Sequence, residues 1–187
     1  MRNNIFIVPS LWFKVNKEYL FFLARFLFTC LGLSFIYAQY LSSFNELDGI
    51  TKLTVLLVDW IYQLLNLGFS HEFNPKSAGE IFYYDSQWIF TIIEGCNGFS
   101  VFITYLSFLF AFRRAIHHYL KYLSIGVISI LFVNILRIAV LGYLLLSFPH
   151  FGHIAHQTIF PAVIYGLVIL LWFLWIRESR LDKKKDV

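Results

Sequence analysis

The sequence predicts an all-α integral membrane protein of about four transmembrane helices, with an outer interfacial helix and a short extracytoplasmic β-hairpin. Three observations carry that prediction. The chain has 187 residues, of which 59% are hydrophobic and only 14% charged, against about 45–50% apolar and about 25% charged in soluble domains. Its mean hydropathy is +0.68. Apolar runs long enough to cross a bilayer recur, and most basic residues stand in short clusters beside them, as cytoplasmic flanks do and phosphate-tracking faces do not. The net charge of +4 therefore points to a lipid bilayer as partner and not to nucleic acid.

Residues 1–18 form a cytoplasmic basic segment. Arg2, Lys14 and Lys17 are mixed with Phe6, Leu11, Trp12 and Phe13, which fits either an amphipathic segment on the inner leaflet or a loose tail. Residues 19–41 make the first span, because ~20 residues at 1.5 Å each cover ~30 Å of hydrocarbon. This run lacks a small-residue cleavage site and exceeds a signal-peptide core, so it is expected to be retained. Arg25 lies about two turns in and can reach the inner headgroups by snorkelling.

Residues 42–95 read as an extracytoplasmic lid. After the polar turn 42–49 comes the ambiguous stretch 51–69, apolar enough for a span, yet with Lys52, Asp59, Gln63 and Asn66 on one helical face. Charge placement decides between the two. Arg113, Arg114 and Lys121 mark one inside loop, Arg177, Arg180 and Lys183 to Lys185 mark an inside tail, and the N-terminal segment is basic as well. A crossing by 51–69 would make the number of spans odd and turn one of these flanks outward. The stretch is therefore expected to be an interfacial or re-entrant helix. Residues 70–86 are polar and hold the turn signal Asn74-Pro75. Residues 80–84 and 87–93, separated by Asp85-Ser86, read as a hairpin of aromatic and β-branched residues.

Residues 96–176 hold the remaining three spans. The first, 99–112, enters beside Cys96; an inner loop at 115–121 leads to 122–148. Arg137 lies about 16 residues along that third span, hence roughly 24 Å up from the inner side. A short outer loop, 149–157, carries His150, His153 and His156. The last span, 158–176, has Trp172 and Trp175 as interfacial anchors at its inner end. Residues 177–187 are a basic cytoplasmic tail. The whole of 1–187 is one membrane domain without internal repeats.

This topology brings Cys96, Arg137 and His156 to similar depth, near the outer face. A thiolate is the reactive form of cysteine, and neighbouring cations lower a thiol pKa from ~8.5 into the range of about 3.5–7.5. Histidine can take the thiol proton and return it to a leaving amine. Arginine, always charged, can hold either the thiolate or an oxyanion. Each residue also has a plainer reading. Cys30 and Cys96 are the only cysteines, with no CxxC between them; Cys30 reads as apolar filler, and Cys96 could be the same but for Glu94, Asn97 and the two flanking glycines. An arginine in hydrocarbon costs at least ~2.5–3.5 kcal/mol and must face a partner or a cavity, and a structural pair with Glu94 or Asp59 would serve. His153 and His156, at i and i+3, share a helical face; they make a wet loop, a proton shuttle or a weak metal pair. Asn134, one turn before Arg137, either orients the guanidinium or packs helices.

Three signatures, Glu94-Gly95-Cys96-Asn97-Gly98, Asn134-Ile135-Leu136-Arg137-Ile138 and His153-Ile154-Ala155-His156-Gln157-Thr158-Ile159-Phe160-Pro161, together resemble the exosortase/archaeosortase family, most closely its short exosortase F class, over about residues 50–176. The resemblance implies a membrane-embedded, sortase-like cysteine transpeptidase. Its substrates would be membrane-tethered exported proteins with a C-terminal sorting signal, made of a short motif, a hydrophobic helix and a basic tail. It implies Cys96 as nucleophile, Arg137 as the family arginine and His156 as the family histidine, with His153 one turn away able to take that place. The chain is much shorter than the eight-span exosortases and reads as a minimal core.

The expected function is thus cysteine transpeptidase or protease chemistry at the outer face of the cytoplasmic membrane, with Cys96, Arg137 and His156 catalytic. Glu94, Asn97, Asn134 and His153 support them, and no metal or organic cofactor is required. The alternatives are a non-catalytic membrane subunit of an export or polysaccharide assembly, in which Arg137 and Glu94 form a structural pair, and a small anion transporter. The transporter lacks repeated halves and broken helices.

Overall fold

The structure is a computed structural model that describes residues 9–112 and 116–185, with side chains described for 17–112 and 116–178. Residues 1–8, the Arg113-Arg114 pair and the basic side chains of the tail from Arg180 onward, on which the charge argument drew, lie outside the described residues. The elements run α1 (Pro9–Ser42), α2 (Gly49–Leu64), β1 (Phe69–Asn74), β2 (Gly79–Tyr84), β3 (Gln87–Ile92), a 3-10 turn (Glu94–Cys96), α3 (Phe99–Ala111), α4 (Ile116–Ser147), α5 (Pro149–Ile154), a π turn (Ala155–Ile159) and α6 (Phe160–Lys185).

Three helical stretches are long and apolar enough to cross a membrane: Lys17–Ser42, Ile116–Ser147 and Pro149–Glu178. Their outward side chains are those a bilayer would solvate. Phe28, Leu31, Phe35, Ile128, Phe132 and Ile169 are all more than 60% exposed, a surface that water would penalise. The fourth expected span is shorter than the others. α3 has 13 residues, about 20 Å at 1.5 Å each against ~30 Å of hydrocarbon.

Two cores hold these helices together. One joins α3, α4 and α6 through Tyr105, Leu109, Tyr122, Ile130, Val168, Leu171 and Trp175. Tyr105 is fully buried and donates its hydroxyl to the carbonyl of Tyr122 at 2.7 Å, so the phenol brings no unsatisfied polar group into the apolar contact. Trp172 stacks on Phe108 with centroids 4.3 Å apart. Trp175 is wholly buried, which corrects its reading as an interfacial anchor: its indole fills space between helices.

The other core attaches α2 and the three strands, together termed the lid, to α4. α2 buries Thr51, Thr54, Val55, Val58 and Tyr62, a stripe at helical spacing. Phe82 and Phe90 stack between the strands at 4.8 Å, and Val55, Val58, Tyr62, Phe82, Phe90 and Ile92 close on Ile138 and Ala139 of α4. Tyr62 donates its hydroxyl to the carbonyl of Ala139 at 3.0 Å. The close approach depends on Gly142, where a Cβ would collide with the Tyr62 hydroxyl and the Phe90 ring.

The lid differs from expectation in two places. The helix expected over 51–69 spans Gly49–Leu64, because Asn66 (φ 52°) and Gly68 (φ 68°) are in the left-handed region and end it. Asn66 therefore does not continue the polar face of Lys52, Asp59 and Gln63. The expected hairpin is two strands of a three-stranded antiparallel sheet in the order β1-β2-β3. The extra strand, Phe-Ser-His-Glu-Phe-Asn, is held to α2 by a polar link: His71 Nδ1 lies 2.7 Å from Glu80 Oε1, and its Nε2 lies 3.8 Å from Asp59 Oδ2.

Candidate active site

The cysteine turn is built from its backbone outward. Ile93 is extended, the 3-10 turn Glu94–Cys96 follows, and the Cys96 N–H donates to the Ile93 carbonyl at 2.8 Å. Asn97 then closes the turn and opens α3. Its Oδ1 accepts the N–H of Phe99 at 2.9 Å, covering a donor that the start of a helix leaves open. Both protons of its Nδ2 are also used, one to the Tyr37 hydroxyl at 2.7 Å and one to Thr51 Oγ1 at 3.0 Å. Thr51 passes its own proton to Asp48 Oδ2 at 2.5 Å, and Asp48 caps α2 by accepting the N–H groups of Ile50 and Thr51. Asp48, Thr51 and Asn97 are all at least 97% buried. This closed polar chain ties the cysteine turn to α1 and α2 at once.

Gly98 stands between the turn and α4. Its φ is +76°, and a Cβ there would fall 2.9 Å from Cγ of Asn134. Asn134 is fully buried and donates through Nδ2 to the Cys96 carbonyl at 2.9 Å. Arg137 approaches the same oxygen through Nη2 at 3.5 Å. Its Nε is buried without a hydrogen-bond partner, and it forms no ion pair among the described residues. A guanidinium in that position is costly unless something in the adjacent space accepts from it.

That space is a cavity of about 440 Å³ lined by Cys96, Arg137, His153, His156, one edge of the lid and Phe160, within the ~300–1,000 Å³ typical of ligand sites. The half-buried Cys96 side chain packs against the lid core. The expected outer loop 149–157 is instead helical: α5 starts with Pro149 in its first turn and runs into the π turn Ala155–Ile159. Pro at that position costs no hydrogen bond, and π turns are frequent where a helix serves a site. His153 stands on α5 and His156 in the π turn, and both line the cavity.

Of the supporting residues, Asn134 and His153 join this site and Asn97 braces it from behind. Glu94 does not join. It is exposed and lines a separate small cavity with Asp48, Leu47 and Ala78, because the 3-10 turn sends the residue two before Cys96 to the other side. The proposed Arg137 pairs are likewise not formed. Glu94 is elsewhere, and Asp59 is engaged by Gln63 and His71. Tyr37, Asp48 and Thr51 were not among the expected site residues. An Asp before an apolar helical run is a helix-start signal, and it marks Asp48; nothing in the sequence ties it to Asn97.

The model of a protein family described as transmembrane exosortase matches residues 10–176 of the chain. The match takes in α1 as well as the three signatures. No curated protein and no solved structure matches.

Proposed function

The chain belongs to the transmembrane exosortase family, and from that premise we propose that it is a membrane-embedded cysteine transpeptidase that processes C-terminal sorting signals of exported proteins. The observation that carries the proposal is the guanidinium of Arg137. It is half-buried, with Nε buried and without a hydrogen-bond partner, has no carboxylate partner among the described residues, and lines the same cavity as Cys96, His153 and His156.

In this reading Cys96 attacks the scissile carbonyl and the tetrahedral oxyanion is held by Arg137, a role in which one donor contributes roughly 3–4 kcal/mol. His156 takes the thiol proton and returns it to the leaving amine, so the peptide C–N bond breaks as the C–S bond of an acyl-enzyme persists. An acceptor amine or water then attacks that thioester and releases Cys96. Asn134 holds the main chain of the nucleophile still, which matters because a misplacement of about 1 Å can cost ~10²-fold in rate.

The site faces outward from the cytoplasmic membrane, and α3 makes the fourth, short crossing: the basic pair after it and Lys121 lie inside by the positive-inside bias, and local bilayer thinning accommodates its length. Within the family we assign the chain to the short exosortase F class, on the likeness of its three signatures. Comparing surface proteins from cells with the native chain and with Cys96→Ala tests the proposal. C-terminal processing should disappear while the variant stays folded in the membrane, and processing that survives removes Cys96 as nucleophile.

A further inference from the structure

The longest wall of the cavity has no part in this chemistry. It is made by six consecutive residues, Trp88 to Ile93. Successive side chains of a strand point to opposite faces, so a face would contribute alternate residues only. A wall of six in succession is the strand's edge. β3 is an outer strand in the order β1-β2-β3, and its second edge pairs with no strand among the described residues.

Free edges are ordinarily guarded by charges or proline. Residues 87–92, Gln-Trp-Ile-Phe-Thr-Ile, contain neither, whereas β1, the opposite edge, carries His71 and Glu72. Pairing slips between Phe82 and Tyr83, which leaves Ile89 unpaired between Trp88 and Phe90. Such bulges bend a strand and are over-represented beside active sites. Ile138, Leu141 and Leu145 of α4 line the same cavity, with Ile138 packed against Phe90 and Ile92, so a chain lying along β3 meets apolar side chains of α4. At its far end β3 runs through Ile93 into the turn of Cys96.

We propose that the open edge of β3 is the substrate cradle. An extended, mainly apolar peptide segment joins the sheet as a fourth strand, with alternate side chains against α4 and its scissile bond delivered to Cys96. Main-chain hydrogen bonds supply affinity and alternate side chains supply selectivity, as in other strand additions. The location of the scissile bond rests on the function proposed above; the docking of the peptide does not.

Full-length Cys96→Ala protein in detergent micelles, titrated with a dansyl-labelled heptapeptide of alternating valine and threonine, tests it. The same peptide is then N-methylated at each amide in turn. Methylation at every second residue should weaken binding about three- to ten-fold, the effect of one lost hydrogen bond, with intervening positions unaffected. Equal tolerance at all positions, as for a ligand held by side chains or a cavity filled by an acyl chain, overturns the proposal, and so does a self-associated protein that binds no peptide. A two-residue period with processing that survives Cys96→Ala removes the nucleophile alone. Processing lost in Cys96→Ala with no period removes the cradle alone.

Discussion

Asn134 and Cys96 are joined by a hydrogen bond of 2.9 Å from the amide nitrogen of the one to the main-chain carbonyl of the other. The same amide group fills the space above Gly98. α4 thereby sets both the position of the Cys96 backbone and the residue that can stand two places after it.

Gly98→Ala should destabilise the protein on two grounds. Its left-handed backbone disfavours a side chain by about 1–2 kcal/mol, and its new methyl must displace Asn134. Asn134→Ala removes the obstacle, so the double variant should be less destabilised than the sum of the singles, by ~0.5 kcal/mol or more. Thermal unfolding in detergent provides the comparison; strict additivity would mean that the two residues do not share the space.

The buried chain Asp48, Thr51, Asn97 behaves as one unit. Thr51→Val leaves both an Asn97 proton and an Asp48 oxygen without their partner, and Asn97→Ala strands the first donor of α3. Each should cost about 1–3 kcal/mol, the usual penalty for an orphaned buried group. Tyr37→Phe, at a half-buried position, should cost less. Once Asn97 is Ala, Thr51→Val should add less than it costs alone, because only the Asp48 oxygen then loses its partner, which the same melts read directly. Processing should fall in each variant, because the turn that carries Cys96 is what the chain secures.

His153 and His156 line one cavity but stand on different backbone, one on α5 and one in the π turn. If His156 shuttles the proton, His156→Ala should slow processing by ~10²–10⁴-fold, with His153→Ala nearer the native rate. The reverse order in single-turnover measurements would transfer the role to His153. Arg137→Lys should fail nearly as badly as Arg137→Gln, since an ammonium lacks the planar fork that reaches an oxyanion while staying beside the Cys96 carbonyl.

β2 and β3 were readable to within a residue, and hydropathy located the three long helices without bounding them: α1 starts ten residues before the expected span, α4 six before, and α6 runs nine beyond, because a helix continues past the apolar run that signals it. β1 was not readable. Phe69-Ser70-His71-Glu72-Phe73-Asn74 lacks β-branched residues and is held as a strand by its pairing to β2 and by the ties of His71 to Glu80 and Asp59. The helix over 149–159 was hidden by three histidines and a glycine whose polarity imitates a loop. At the site, spacing along the helices places Cys96, Arg137 and the two histidines at a common level. Which way Glu94 turns, and that Asn97 looks backward to Thr51 and Tyr37, are tertiary facts with no counterpart in spacing.

Tyr62 fastens the lid, and with it the β3 wall, to α4. Its ring stacks on Phe69 at 4.3 Å and its hydroxyl reaches the Ala139 carbonyl; burial raises the phenol's pKa, so it remains a donor at ordinary pH. Tyr62→Phe removes one hydrogen bond and should cost about 1 kcal/mol. Tyr62→Ala also empties a ring-sized space and should cost about 3–5 kcal/mol. Lys52 lies in the first turns of α2, where helical backbone resists a protease until it opens locally, so trypsin cleavage there reports loosening of the lid. Cleavage should be slow in the native chain, little faster in Tyr62→Phe and much faster in Tyr62→Ala, with processing lost in parallel. An Ala variant as resistant as the native chain would show that the stacked Phe82 and Phe90 hold the sheet on α4 without it.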